Sequence, residues 1–373
     1  YFIFKCINPK NNLGMKTSPT PKFRNKKNSN FHQELKKRVQ EYFDTNNKKP
    51  TGNYSLYFKA GLFWVIYIAL YVHLVFFSPA ACIAILECLV MGCATAAIGF
   101  NVMHDGSHGS FSSSKILNKI AASSVNALGA SVIMWNNKHN IIHHTYTNIG
   151  GVDDDIEIQP LIRLCPSQKR YFFHRYQHIY VWLLYTQLYI VWVFATDFVK
   201  YFRKKVGPVA IKKMSTWEHI SFWVAKLFFY FTMIALPIYM VGFLSWLIGF
   251  LILAMSAGFI LSTVFQLAHT VEHTSFPEPI MPENDIENEW AMHQIATTAN
   301  FATKNKLISW LVGGLNFQVE HHLFPKISHV HYPAISKIVK KTCDDFNVKY
   351  IEFKHMRDAI ISHTLHLKKL GTV

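Results

Sequence analysis

Apolar residues in this chain do not alternate with polar ones; they come in blocks. Residues 62–77 are almost uninterruptedly apolar, Ser78-Pro79 breaks the run, and a second block covers 80–100. Two further blocks, 220–241 and 243–268, are separated by little more than Gly242. A helix needs about 20 apolar residues to cross a bilayer, so each pair of blocks predicts two membrane helices joined by a tight turn without charge. Two weaker stretches lie between the pairs. Residues 116–135 are mildly apolar and rich in small side chains, and 178–199 carry Gln187 and Asp197 with basic residues close behind.

Composition agrees with a membrane protein. Half the 373 residues are hydrophobic and 16% are charged, against roughly 25% charged in soluble domains. The net charge of +16 resides in the N-terminal region, in residues 200–213 and in the C-terminal region. Cations flanking apolar blocks follow the positive-inside rule, and no nucleic-acid motif accompanies them, so nucleic acid is excluded as a partner. Of six cysteines, three fall in one apolar block and none forms a CxxC pair, which suits a reducing face rather than a disulfide framework. The polar, basic N-terminus has no cleavable-signal pattern, and Met15 is a candidate start. Residues 1–57 read as a basic cytosolic arm, largely solvated, with at most a short helix around Lys36-Lys37-Arg38. Residues 58–332 read as the membrane domain, and 333–373 as a basic, helical cytosolic tail.

The candidate chemistry is histidine. His104 and His108 stand four apart, as do His139 and His143, with His144 next; Gln318-Val319-Glu320-His321-His322 closes the set. Residues i and i+4 share a helix face, while adjacent ones diverge by about 100°, so His321 and His322 are placed to serve two metals. Neutral imidazole suits iron, zinc, copper or nickel. Seven histidines exceed the four or fewer protein ligands of a tetrahedral zinc; a pair of metals uses them all. One shared site requires an even number of crossings between the second and third clusters. Residues 178–199 are therefore assigned to the interface, and 116–135 lie in the interface or dip in and return. The expected fold is an all-α integral membrane protein: four transmembrane helices in two hairpins, with a cytosolic helical cap holding a di-metal site. Lys226 is expected to snorkel toward the cytosolic face, Glu87 to line a cavity or pair with a neighbour, and Asp153, Asp154 and Asp155 to form a solvated loop. His269, at the exit of the fourth span, is the choice for a further ligand. His273, at i+4 from it, and His293 read more readily as structural.

Any one histidine cluster is weak evidence. Three in the order HxxxH, HxxxHH and a box ending in HH, around two apolar hairpins, resemble the membrane fatty acid desaturases. The likeness covers about residues 53–332. Gln318, where many desaturases have histidine, resembles the front-end branch, which acts between an existing double bond and the carboxyl end. The sequence around the second box, followed by Gly-Val-Asp-Asp-Asp-Ile, is similar to bacterial acyl-CoA or acyl-lipid desaturases. The resemblance implies two iron ions held by His104, His108, His139, His143, His144, His321 and His322, with His269 as the extra ligand and O2 as co-substrate. Gln318, an amide, is a poorer ligand that binds weakly, through water or not at all. Asp105, Asn140, Glu272, His273 and Glu320 are candidates for imidazole partners, against the alternative of surface or capping residues.

Removing hydrogen from an unactivated methylene lies beyond side-chain acid–base chemistry and calls for an oxidised metal. The His-Pro-Gly-Gly motif of a fused cytochrome b5 is absent, so a separate electron donor of ferredoxin or cytochrome b5 type is expected, with a fatty acyl-CoA or acyl-lipid substrate. The histidine boxes are expected on the cytoplasmic face, at the inner membrane if the source is bacterial. The rival readings are a membrane di-iron hydroxylase or ketolase, a zinc hydrolase of lipids, and a histidine-rich metal transporter. Clusters just beyond the span ends, rather than along a mid-membrane path, disfavour transport.

Overall fold

The structure, a computed structural model, describes residues 20–24, 30–281 and 283–373; the candidate start at Met15 and most of the arm before residue 30 lie outside them. In order, the helices are α1 (Phe31–Thr45), α2 (Tyr54–Phe77), α3 (Ala81–His108), α4 (Lys115–Ala127), α5 (Val132–Tyr146), α6 (Phe172–Thr186) and α7 (Leu188–Arg203). Then come α8 (Thr216–Val241), α9 (Phe243–His269), α10 (Trp290–Thr297), α11 (Lys306–Leu311), α12 (Gln318–Leu323), α13 (Tyr332–Asp345) and α14 (Met356–Thr372). Extended structure among the described residues is limited to two-residue pairings, such as Asn300–Phe301 with Glu352–Phe353.

Among the described residues, α2, α3, α8 and α9 are the four helices long and apolar enough to cross a membrane. α2 begins at Tyr54 because the Asn53 side chain accepts from the Leu56 N–H at 3.2 Å, an N-cap. It ends where Ser78 turns left-handed (φ +46°) ahead of Pro79. α3 and α9 pack backbone to backbone at Gly92, where a Cβ would come within 2.5 Å of the Leu253 carbonyl. Small residues permit such approach where no hydrophobic effect drives helices together. Pro237 within α8 cannot donate to the Met233 carbonyl; Trp246 Nε1 of α9 donates to it instead, at 2.8 Å. A neighbouring helix thus satisfies the freed group, as hydrocarbon surroundings demand. Glu87 pairs with His73 at 2.7 Å, tying α3 to α2.

The two weaker stretches are bent pairs: α4 and α5 meet at 111°, α6 and α7 at 59°. They are anchored to the spans by Lys226. Expected to snorkel, this lysine is instead buried: its ammonium donates to Asp197 Oδ2 (2.9 Å), the Val193 carbonyl (2.9 Å) and the Gly129 carbonyl (2.7 Å). Asp197 also accepts from the Ser131 N–H at 2.7 Å. A saturated ion pair therefore holds α8, α7 and the α4–α5 bend together, and it explains two of the ionisable residues that the apolar pattern left over.

The solvated-arm reading fails for α1. Phe31, Leu35, Val39 and Phe43 recur every four residues and are all buried, against Ile335, Val339 and Cys343 of α13 and Ala291 and Ile295 of α10. The lysines and glutamates between them disguise that stripe. The C-terminal helix is docked as well: His363 is buried, with Nε2 2.7 Å from the Tyr185 hydroxyl and Nδ1 donating to the Thr270 carbonyl at 2.6 Å.

Removing one partner of a buried pair leaves an uncompensated charge. Lys226→Met should destabilise the protein by about 3–5 kcal/mol, read as a lower unfolding midpoint in detergent, and Lys226→Met combined with Asp197→Leu should recover most of the loss.

Candidate metal centre

The first box closes α3. A π turn at Gly99–Met103 precedes it, the Asn101 side chain donates to the Leu311 carbonyl at 2.8 Å, and Gly109 (φ +74°) ends the helix directly after His108. The second box lies in a longer π segment, Asn137–His143. On an α-helix His144 would point away from His139. The wider i→i+5 turn brings positions four and five apart onto one face, so His143 stacks on His139 (centroids 5.2 Å) and His144 Nε2 lies 3.2 Å from His139 Nε2. The third box forms α12, every residue of which is buried, and the Asn300 carboxamide oxygen accepts from the Val319 N–H at 2.9 Å.

These segments converge. The ligand atoms of His104, His108, His139 and His321 lie within 4.8 Å of one another, and so do those of His143, His269 and His322. His321 and His322, adjacent on α12, go to different groups with their rings at 90°. His144 stands between the groups, with Nε2 2.9 Å from His321 Nε2 and its ring stacked on His322 at 4.4 Å. Gln318 Nε2 donates to His269 Nε2 at 3.0 Å, so the amide faces the second group. Asp155 forms a third set with His139 and His143.

Four of the outward nitrogens are held by groups that the sequence reading did not assign to the site. His143 Nδ1 lies 3.1 Å from Asp153 Oδ2, His322 Nδ1 donates to Gln294 Oε1 at 2.8 Å, and His269 Nδ1 donates to the Thr297 carbonyl at 3.2 Å. His321 Nδ1 is 3.1 Å from the Tyr332 hydroxyl. The acidic run is thus not a solvated loop. Asp153 is fully buried and is fixed by the Asn148 and Asp155 N–H groups at 2.9 and 3.1 Å, while Asp154 and Asp155 pair with Lys200 and Lys138, each at 2.6 Å. A run of acids next to a histidine box was the available signal; no sequence signal distinguished Gln294 or Tyr332.

The candidate imidazole partners fall elsewhere. Asp105 accepts from Ser328 and His329 at 2.8 and 3.0 Å, and His329 Nε2 meets the Lys59 ammonium at 2.9 Å. Asn140 donates to the Ser107 carbonyl at 3.0 Å, linking the first two boxes through backbone. Glu320 accepts from Asn300 (2.6 Å) and Tyr350 (2.8 Å). Burial pushes its carboxyl up to about 7, against the pull of those hydrogen bonds. Glu272 is half-buried, with its N–H donating to Ser362. His273 is exposed: α9 stops at His269 and His273 turns left-handed (φ +78°), so the i,i+4 relation never forms. His293 is buried with its ring edge against Phe23.

Burial, and then the neighbouring imidazoles, hold His321 and His322 well below the ordinary histidine range, so both are neutral with a lone pair available. His108 Nε2, His143 Nε2 and His322 Nε2 are buried with no hydrogen-bond partner among the described residues, as are the Nδ1 atoms of His104 and His144. An unmet buried polar atom costs about 1–3 kcal/mol. Two nitrogen-rich groups with inward lone pairs fit two cations of borderline softness such as iron. An apolar cavity of about 580 Å³ lies elsewhere, lined by Ser78, Pro79, Cys88 and Val241. Cys88 is sixteen residues from His104 along α3, about 24 Å at 1.5 Å per residue, so this cavity is not the reacting pocket.

The fatty acid desaturase family profile matches residues 77–354. The sn-1 linoleoyl-lipid 6-desaturase of Arthrospira platensis is 35% identical over 358 residues, covering 95% of this chain and 96% of that protein. The acyl-lipid (8-3)-desaturase of Physcomitrium patens is 35% identical, covering 94% and 74%. A probable Delta(5) fatty acid desaturase of Dictyostelium discoideum is 31% identical, covering 95% and 78%. The chain therefore belongs to the fatty acid desaturase family, as an oxidoreductase that introduces double bonds into fatty acyl chains.

Proposed function

We propose that this desaturase acts on glycerolipid-linked acyl chains, on the carboxyl side of an existing double bond, at a centre of two iron ions fed by a separate electron donor. The observation that carries the reading is the sorting of the box histidines into two groups of mutually close, inward-facing nitrogens. His104, His108, His139 and His321 would hold one ion and His143, His269 and His322 the other, with His144 between them and Gln318 at the edge of the second. Lipid-linked substrates are favoured because the relatives quoted above include enzymes named for acyl-lipid and linoleoyl-lipid desaturation. Gln318 in the third box supports the front-end assignment.

Bound iron supplies the O2-derived oxidising power that a methylene C–H requires. The rest falls to this chain. Asp153, Gln294, Tyr332 and the Thr297 carbonyl fix ring orientation by engaging the outward nitrogens, which leaves the opposite lone pairs directed inward. Trp135 and Phe265 pack on the His139 ring at 4.3 and 6.1 Å between centroids, which supports a site sheltered from water. The four spans are taken as two hairpins with turns at Ser78-Pro79 and Gly242, both histidine-bearing ends on the cytoplasmic side, and α1 and α10–α14 as the cap. The bent pairs α4–α5 and α6–α7 then lie in the interface, which keeps the boxes on one side.

Expression in a host of defined lipid pool, with double-bond mapping of its lipids, tests the reaction: product should be two hydrogens lighter, whereas gain of an oxygen would indicate hydroxylation. Purified protein should contain about two irons per chain; a single zinc would overturn the assignment. His143→Ala and His322→Ala should each abolish new unsaturation at unchanged protein level. Asp153→Asn should lower iron affinity or turnover by about 10–100-fold, with iron content and rate measured on the same preparation.

A further inference from the structure

We propose that Lys304, Lys306, Lys354 and Arg357 form a binding site for the phosphate of an anionic phospholipid headgroup at the bilayer surface. The four line one open basin of about 760 Å³, where the loop after Phe301 meets the start of α14. All are exposed. None of the three lysines has an acidic partner among the described residues, and Arg357 meets only its neighbour Asp358, at 3.4 Å. Glu352, two positions before Lys354, is engaged by Thr303 and Lys340, and Asp358 also accepts from the His355 N–H at 3.1 Å. The basin therefore carries a surplus of positive charge that nothing in the fold uses.

Its position selects the ligand. α11 lies against two spans: Trp310 packs on Phe63 in the first half of α2 at 5.0 Å between ring centroids, and the Leu311 carbonyl accepts at 2.8 Å from Asn101 of α3, three residues before His104. Leu307 and Leu311 on that helix are exposed. On the other side Ile361 and Leu365 follow Arg357 at four-residue spacing and are exposed too. Cations between two apolar rims, beside membrane helices, match a surface seated in the headgroup layer. Each lysine or arginine there attracts anionic lipid by about fivefold in affinity. An acidic soluble protein would be served by the charge alone; the apolar rims favour lipid.

The inference rests on the membrane placement proposed above. Native mass spectrometry of the full chain in detergent, titrated with phosphatidylglycerol, phosphatidylcholine of the same acyl chains, coenzyme A and inorganic phosphate, provides the test. Phosphatidylglycerol should bind at least about tenfold tighter than phosphatidylcholine. K304Q/K354Q should lose roughly 10–30-fold of that affinity, and K304R/K354R should retain it. His322→Ala, which ends desaturation under the proposal above, should leave lipid binding intact, so the two ideas fail separately. Equal affinity for the two lipids overturns the site, as does unchanged phosphatidylglycerol binding in K304Q/K354Q. Tighter binding of coenzyme A or phosphate than of the lipid overturns it as well. So would a double variant that keeps the lipid but no longer accepts electrons from an acidic carrier protein.

Discussion

Lone pairs buried together need a cation, and most of this architecture serves that requirement. Imidazole is useful as a ligand only when neutral, and burial keeps it so at the price of leaving its nitrogens without water. A ring gripped from behind cannot rotate to satisfy itself elsewhere. Asp153, Gln294, Tyr332 and the Thr297 carbonyl provide that grip, and they come from three different segments, Gln294 and Thr297 sharing α10. The π turn through the second box belongs to the same solution, because it lets three histidines within six residues share one face.

The membrane imposes the complementary rule, that polar groups within the spans find partners inside the protein. Three contacts follow it at different levels of cost. Trp246 answers the carbonyl freed by Pro237, and the Tyr71 hydroxyl donates to the Thr232 carbonyl at 2.5 Å. Lys226 and Asp197 neutralise each other where the third span meets the bent helices. The last is the most consequential, since it orients the α4–α5 bend from which the second box projects.

Much of this was legible in the sequence. The four long helices appear where apolar blocks predict them, with α2 and α8 extended at their starts by capping residues and α3 prolonged to His108. The family was legible because the box order is long and specific. What escaped depends on contacts between residues far apart in the chain. Gln294 reaches His322 across 28 positions, and Ser328 reaches Asp105 across 223, and no local pattern announces either. Composition misled twice: charged residues hid the buried stripe of α1, and the acidic run beside the second box looked like a solvated loop when one of its members is fully buried. His273 shows the converse error, a spacing that presumed a helix which ends four residues earlier.

The long reach of the site has a bearing on biosynthesis. His144 and His321, nearly in contact in the finished protein, are 177 positions apart. At about 5–20 residues per second, a ribosome needs roughly 10–35 s to make the second after the first. During that interval the early boxes exist without their counterparts. Under the proposed assignment, metal binding at both groups would therefore wait until the third box is made, and metal uptake would report on completed assembly rather than serve as a nucleus for it.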